Sequence, residues 1–253
     1  MNIGIILAAG KGTRMNLKDA NKTSILLRGK PLAQYGVDLF ETLVDKTIVV
    51  VGHKAKSVQS SLVGNNLQFV LQARRLGTGH AVLKAVEVIP ASSGIALVGN
   101  GDHLMCYTPK IVKDFIAFHK LHENALTIMT TSHEDVEQMD NGRIIRSSNN
   151  QVQLILEKKD LTPEYEHITE LNSGFYCFDL EFLRKNIKKI PKHEPKNEYY
   201  LTDLVKIANS QRERVGAFQV PFKFVGTGVN TKDQLEKVSI QSHTDQRYLS
   251  LSI

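Results

Sequence analysis

The chain has 253 residues, 42% of them hydrophobic and 23% charged, with a formal net charge of +6. That is enough chain for one large α/β domain or two closely joined ones, and no apolar run approaches the roughly 18 residues needed to span a bilayer. The only cysteines, Cys106 and Cys177, stand in no paired motif, which argues against a disulfide framework or a zinc site and makes a reducing cytoplasm the expected location.

Met1–Leu7 is apolar and branched but lacks a basic flank or a small-residue cleavage site, so it reads as a buried strand and not as a signal peptide. A glycine loop follows, then a helix-like stretch from Pro31 to about Leu43 with proline at its first turn. "TIVVVG" reads as a strand, Lys54–Leu62 as a helix, "LQFVLQ" as a strand, and the region from Gly79 to Val88 as a helix. "GIALVGNGD" is the next buried strand, and it leads into "TPKIVKDFIAFHKLHE", a helix with Thr108 as cap and Pro109 in the first turn. "ALTIMTTS" is a further strand. This alternation predicts an α/β fold, a doubly wound, Rossmann-like, mostly parallel sheet with helices on both faces.

The second half changes character. "DNGRIIRSSNNQVQLILEKKD" has two β-rich runs around a Ser-Ser-Asn-Asn turn and reads as a hairpin leaving the sheet. "NSGFYCFD" returns as a strand, followed by helices near Leu180–Ile187 and Tyr200–Asn209. "VGAFQVP" and "FKFVG" read as short strands, Thr231–Val238 as a short helix, and residues 239–253 as a loosely held polar tail. The positive balance suits an anionic ligand. The dense basic run from Arg184 to Lys196 carries few aromatics and reads as a solvated helical face, so no nucleic-acid or membrane partner is expected.

The glycine loop, "ILAAGKGTRMN" (Ile6–Asn16), asks which anion it holds. Gly10-Lys11-Gly12-Thr13 lacks the Walker A frame, and Met15 stands where a dinucleotide fingerprint needs its third glycine. What remains is a loop of small residues with Lys11, Arg14 and Lys22, cations suited to a triphosphate whose leaving group must be held as charge accumulates on it. In an open parallel sheet, ligands lie beyond the carboxyl ends of the strands. That rule brings the glycine loop and the Asp102 of "NGD" to one edge.

"LAAGKGTRM" resembles the signature loop of the sugar-nucleotide pyrophosphorylases, and the likeness continues in register along roughly residues 3–238. "QARRLGTGHA" (Gln72–Ala81) resembles the uracil-reading segment of the bacterial N-acetylglucosamine-1-phosphate uridylyltransferases. Gly101-Asp102, "GRI" (Gly142–Ile144), "LEKKD" (Leu156–Asp160), "NSG" (Asn172–Gly174), "NEYYLTD" (Asn197–Asp203) and "GVNTKDQL" (Gly228–Leu235) follow in that family's order. The resemblance implies one nucleotidyltransferase domain over residues 1–238. Its nucleotide-binding part covers about 1–135 and its sugar-binding part about 136–238.

The implied reaction is attack of a sugar-phosphate oxygen on the α-phosphorus of a nucleoside triphosphate, with pyrophosphate leaving. UTP and a hexosamine 1-phosphate are the expected substrates and Mg²⁺ the expected cofactor. By this resemblance Arg14 and Lys22 grip the triphosphate and are the catalytic cations, while Asp102 and Asn230 hold the metal. Leu7, Ala8, Ala9, Gly10, Lys11, Gly12, Gln72, Gly77, Thr78 and Gly101 surround the nucleotide. Gly142, Glu157, Asn172, Tyr200 and Thr202 contact the sugar. Without the resemblance, "GD" reads as a turn, Asn230 as a helix cap and Glu157 as a surface charge. His80 reads equally as a packing or capping residue, and His119 with His122, three apart, lack a third ligand for a metal.

Two positions depart from the family pattern. Asn21 precedes Lys22 where proline is usual, which predicts a more mobile lysine segment, and Asn100 stands where an aromatic is common. The bacterial bifunctional enzymes continue into a hexapeptide-repeat acetyltransferase, and no such repeat occurs here, so no acetyl transfer is expected. Three functions stay open at this stage: UDP-N-acetylglucosamine synthesis, nucleotidyl transfer with another sugar or base, and a non-catalytic nucleotide-sugar sensor.

Overall fold

The apolar N-terminal run forms β1 (Asn2–Ala8), whose alternation sends Ile3 and Ile5 to one face and Ile6 and Ala8 to the other. Both faces are covered, which is why such strands carry unbroken apolar runs. The computed structural model describes residues 1–15, 17, 19–225, 228–231, 233–236 and 238. The expected tail at 239–253 lies outside the described residues, and the helix expected over Thr231–Val238 lies partly outside them.

After β1 come a two-residue ladder, β2 (Leu26–Leu27) and β3 (Lys30–Pro31), and then α1 (Leu32–Glu41). Next are β4 (Lys46–Val51), α2 (Ala55–Gln59), β5 (Leu67–Leu71), α3 (Gly77–Val86) and β6 (Ile95–Asn100). Then follow α4 (Pro109–Leu121), β7 (Leu126–Ser132), the hairpin β8 (Arg143–Arg146) and β9 (Val152–Leu156), and β10 (Glu170–Asp179). The last elements are α5 (Leu180–Asn186), α6 (Asp203–Ser210) and β11 (Val215–Gln219).

The main sheet runs in the order β11-β7-β10-β6-β1-β4-β5. All its neighbours are parallel except β10, which is antiparallel to both β6 and β7. The helices divide between the two faces as the alternation predicts. Ala81, Val82 and Ala85 of α3, Leu183 of α5 and Leu204 and Val205 of α6 cover Ile3, Ile5 and Val50. Val37 and Phe40 of α1 and Val112 and Phe115 of α4 cover Ile6, Val49 and Leu97. A smaller cluster, with Met15, Leu27, Tyr35, Met105 and Val229, fastens the end of the glycine loop to the body of the domain.

The hairpin forms as expected and hangs from the start of β10, where Arg143 pairs with Leu171. Thr108 caps α4 through its hydroxyl, which accepts from the Ile111 amide at 3.4 Å. Three sequence expectations are corrected. Pro31 is the cap residue of α1 and lies just before the first turn. "FKFVG" is a tight turn over Phe222–Phe224 and not a strand. The amides a ladder would need are used locally there, Phe224 N–H on Pro221 O at 2.9 Å and Val225 N–H on Phe222 O at 3.0 Å. Finally, α6 begins at Asp203 and not near Tyr200, because the amides before it are taken by another segment: Tyr199 N–H donates to Leu76 O at 2.8 Å and Leu201 N–H to Thr78 Oγ1 at 3.0 Å.

Candidate active site

The carboxyl ends of β1 and β6 stop side by side, Leu7 opposite Asn100. Because β10 runs the other way, its first residues arrive at the same edge: Phe175 pairs with Gly99, and Asn172–Gly174 lie just beyond. Gly101 N–H donates to Leu7 O at 3.0 Å and Val229 N–H to Asp102 O at 3.1 Å, so Asp102 and Asn230 meet over the end of the sheet.

Lys22 completes this meeting. It sits on a short 3-10 turn, Lys22–Ser24, and its ammonium donates to Asp102 Oδ2 and, at 2.8 Å, to Asn230 Oδ1. The Lys22 and Asp102 side chains are only 15% and 14% exposed, so this is a screened, half-buried pair and not a solvent contact. Gly12 makes the approach possible. Its φ is +60°, and a Cβ there would come within 2.9 Å of the Lys22 Cβ. Thus a carboxylate and an amide oxygen, both hard donors, already face a positive charge. Among the described residues no three His, Cys, Asp or Glu side chains converge to form a protein-only metal cage. The donor set therefore fits Mg²⁺, which keeps several waters and takes its remaining ligands from substrate phosphates.

Two cavities open on either side of this centre and share a wall of Leu7, Thr78, Asn100, Asp102 and Asn230. The first is lined by the backbone and small side chains of Ala8–Gly12, by Lys22, and by Gln72 and Gly77. Gln72 is almost fully buried, and its Nε2 donates to Gly77 O at 3.0 Å and meets His80 Nδ1 at 3.0 Å. A carbonyl only accepts, so the Gly77 contact fixes which end of the amide is nitrogen. Oε1 is thereby left as the acceptor with no protein partner among the described residues. His80 must accept at Nδ1, which requires a neutral ring; burial first, then Lys84, hold its pKa below the ordinary histidine value. His80 is thus neither a bystander nor a ligand but the orienting partner of Gln72. Gly77, with φ +91°, lies so close to Tyr199 that a Cβ would fall 2.5 Å from Tyr199 O.

The second cavity is lined by Arg14, Gly142, Glu157, Asn172 and Thr202. Thr202 Oγ1 donates to Glu157 Oε1 at 2.9 Å. Burial raises the Glu157 pKa, an effect the Thr202 hydrogen bond opposes. Asn172 Nδ2 donates to the buried Tyr176 hydroxyl at 2.7 Å, and its Oδ1 accepts from Gly174 N–H at 3.0 Å. Its backbone amide donates to Gly142 O at 2.9 Å, which ties the hairpin to β10. Arg14 is half exposed at the mouth, paired with Asp140.

Seventeen of the nineteen site residues expected from sequence line one cavity or both. Gly101 lies beneath the shared wall instead of lining it, held by Leu7 O. Tyr200 lines neither cavity: its hydroxyl is engaged by Lys159 and by Glu198 Oε2, the latter at 3.0 Å, and its ring packs on His193. His119 and His122 form no metal pair. His119 is buried with Nδ1 2.8 Å from Thr127 Oγ1, and His122 Nδ1 meets Phe118 O at 2.9 Å.

Residues missed from sequence include Asn21, Arg75 and Glu198 in the first cavity and Asp140, Asn141 and Tyr176 in the second. Arg75 and Glu198 stand inside quoted motifs, and Tyr176 lies on the same strand face as Asn172, so all three carried a readable signal.

A family model described as nucleotidyl transferase matches residues 3–227. Curated relatives include the bifunctional protein GlmU of Acetivibrio thermocellus, 34% identical over 98% of this chain and 53% of the relative. The bifunctional protein GlmU of Streptococcus mutans is 38% identical over 93% of this chain and 50% of the relative. The chain thus spans about half the length of the curated relatives it matches. Among solved structures, a UDP-glucose pyrophosphorylase complexed with UDP-glucose superposes with a TM-score of 0.75 at 18% identity, covering 96% of this chain and 99% of that one, which establishes a shared fold. With the family model running from β1 past β11 and the fold matched along nearly its whole length, the chain belongs to the nucleotidyl transferase family, whose members act on sugar 1-phosphates.

Proposed function

We propose that this domain transfers a uridylyl group from UTP to N-acetylglucosamine 1-phosphate, giving UDP-N-acetylglucosamine and pyrophosphate. The observation that carries the reading is the convergence of Lys22, Asp102 and Asn230 on the wall between two cavities, one glycine-lined and one polar. Donor and acceptor substrates bound on either side would meet at that wall, and positioning supplies much of the catalysis in such a transfer.

In the first cavity the Gly10–Gly12 amides and Lys11 face the phosphates, and Lys22 stabilises charge at the transferring phosphorus and on the leaving pyrophosphate. Gln72 Oε1 accepts from the imide N–H of uracil, a proton that cytosine lacks. Thymine carries the same N–H, so this contact favours the two imide bases together and leaves their separation to the cavity wall. In the second cavity Glu157 accepts from sugar hydroxyls and Asn172 orients the ring, while Arg14 at the mouth meets phosphate oxygens once released from Asp140. Asp102 and Asn230 would hold Mg²⁺, which when bound neutralises phosphate charge during the transfer. The acid–base demand is small, because the attacking phosphate oxygen is already ionised.

The two-part organisation, with a nucleotide-binding part over about 1–135 and a sugar-binding part over about 136–238, accords with the positions of the cavities. Pyrophosphate release across a matrix of UTP, TTP, GTP, ATP and CTP against several hexose 1-phosphates tests the reading. Release confined to UTP with N-acetylglucosamine 1-phosphate is expected. Release with another pair moves the specificity and keeps the chemistry, and silence with retained nucleotide-sugar binding makes the domain a sensor.

A further inference from the structure

The residue before Lys22 is one of the most completely bonded polar groups in the fold. Asn21 is 1% exposed. Its N–H donates to Ser57 Oγ at 2.9 Å, and its Nδ2 donates to Gly10 O at 3.0 Å and to His53 O at 2.7 Å. Its Oδ1 accepts from both the amide and the hydroxyl of Thr23, each at 2.9 Å. A single carboxamide therefore joins the glycine loop, the segment after β4 and the turn that carries Lys22.

A proline could adopt the Asn21 backbone, whose φ is −80°. It would restrict that turn but supply no N–H and no side-chain amide. The expectation that a residue other than proline loosens the lysine segment is therefore answered by a different form of restraint. Asn21 itself is buried, as are its two bonds from Thr23, and an unmet donor or acceptor there is costly. Proline stiffens only its own φ. Asn21 also sets the spacing between two separate anion-binding elements, the loop amides at Gly10–Gly12 and the Lys22 ammonium.

We propose that Asn21 is a positioning residue for phosphate handling, with its carboxamide locking the Lys22 ammonium to the glycine loop so that both meet the triphosphate in register. The proposal rests on the nucleotidyl transfer reading for its purpose, but the binding of inorganic triphosphate tests it without turnover. Calorimetry would compare the wild-type protein, Asn21→Ala, Lys22→Ala and the double variant. Misplacement of about 1 Å has large kinetic consequences, so Asn21→Ala is expected to weaken triphosphate binding about tenfold and lower kcat at least as much, with the KM for sugar phosphate within about twofold. In the Lys22→Ala background the same change is expected to cost less than about twofold.

Equal losses in both backgrounds would mean that Asn21 acts independently of Lys22, and would overturn the proposal. So would a lowered melting temperature with unchanged triphosphate affinity. Asn21→Pro is expected to bind triphosphate as weakly as Asn21→Ala, and wild-type affinity in that variant would reduce the role to a φ restraint. If the Asn21 variants do not fold, Thr23→Val removes the hydroxyl that donates to Asn21 Oδ1 and leaves the Asn21 side chain in place. It is expected to weaken triphosphate binding a few-fold, and unchanged affinity overturns the proposal. Wild-type protein that binds triphosphate with this coupling yet releases no pyrophosphate from any substrate pair would fail the functional reading alone.

Discussion

The Lys22 ammonium bridges Asp102 Oδ2 and Asn230 Oδ1, so a protein cation stands on the two oxygens best suited to a divalent ion. Asp102→Ala should therefore remove the Mg²⁺ dependence of turnover and lower the rate by about a hundredfold or more, the scale on which lost transition-state electrostatics registers. The fold should persist, since Asp102 lies at the end of β6 and outside the hydrophobic clusters. Initial rates against Mg²⁺ concentration, with a thermal melt beside them, check both halves of the claim. An unchanged rate removes Asp102 from the metal site.

If Asp102 and Asn230 hold the metal as proposed, the same bridge should set Lys22 in competition with it when no nucleotide is present. Lys22→Ala should bind Mn²⁺ alone more tightly than the wild-type protein does, although it turns over more slowly. Electron paramagnetic resonance titration of free Mn²⁺ reads this directly. Weaker binding in the variant would place the metal elsewhere.

Gln72 and His80 make a pH-dependent pair. Burial holds the His80 pKa below 6.5, so the ring is neutral from that pH upward and Nδ1 can accept from Gln72. The KM for UTP should be flat at and above about pH 6.5 and rise at lower pH as His80 protonates and repels the Gln72 amide. The nucleotide also titrates in this range, so the comparison is with His80→Gln. The excess rise belongs to the wild-type protein, and identical profiles would relieve His80 of its role.

Glu157→Gln should separate the two cavities. The carboxylate accepts from Thr202 on the polar side of the shared wall, away from the glycine loop. Hydrogen bonds to a charged group contribute roughly 1.5–3 kcal/mol, so kcat/KM for the sugar phosphate should fall about ten- to a hundredfold while the KM for UTP stays within about twofold. A loss shared equally between the substrates would move Glu157 out of the sugar site.

His119 reports on stability and not on catalysis. Burial lowers its pKa to about 4, against 6.5 in the unfolded chain. The unfolded form therefore binds a proton more readily between those values. The contribution is intact above pH 6.5, declines as the pH falls, and levels off below about 4. At pH 5 the proton linkage of this one group is on the order of 2 kcal/mol. Urea unfolding at pH 7.5 and pH 5 should show the wild-type protein losing more stability than His119→Gln by roughly that amount.

The parts of the site that were legible in the sequence are those held by their own strand ends. Leu7–Gly12 and Asp102 follow apolar runs, and a parallel sheet leaves the residues after such runs at one edge. The parts that were not legible depend on partners distant in the chain. Nothing adjacent to Asn21 announces His53 or Ser57, so a missing proline reads as slack when it is in fact a buried carboxamide with its own partners. Likewise nothing beside Tyr200 announces Lys159, which engages its hydroxyl from 41 residues away. The start of α6 failed for the same reason, since the amides of Tyr199 and Leu201 bond to Leu76 and Thr78.

The reversed strand β10 has a consequence for how this domain can change. It runs through the middle of the sheet, clamped by β6 and β7, yet its first residues reach the edge where the two cavities lie, and they carry the hairpin. The hairpin can therefore be reshaped, lengthened or exchanged while the strands beneath keep their register, and the glycine loop need not move. On the proposed reading, acceptor choice and donor choice are largely separate here, joined at the side chains both cavities share and at the Arg14–Asp140 pair. On that reading a lineage could retune its acceptor by editing one appendage, with the glycine-loop side left untouched.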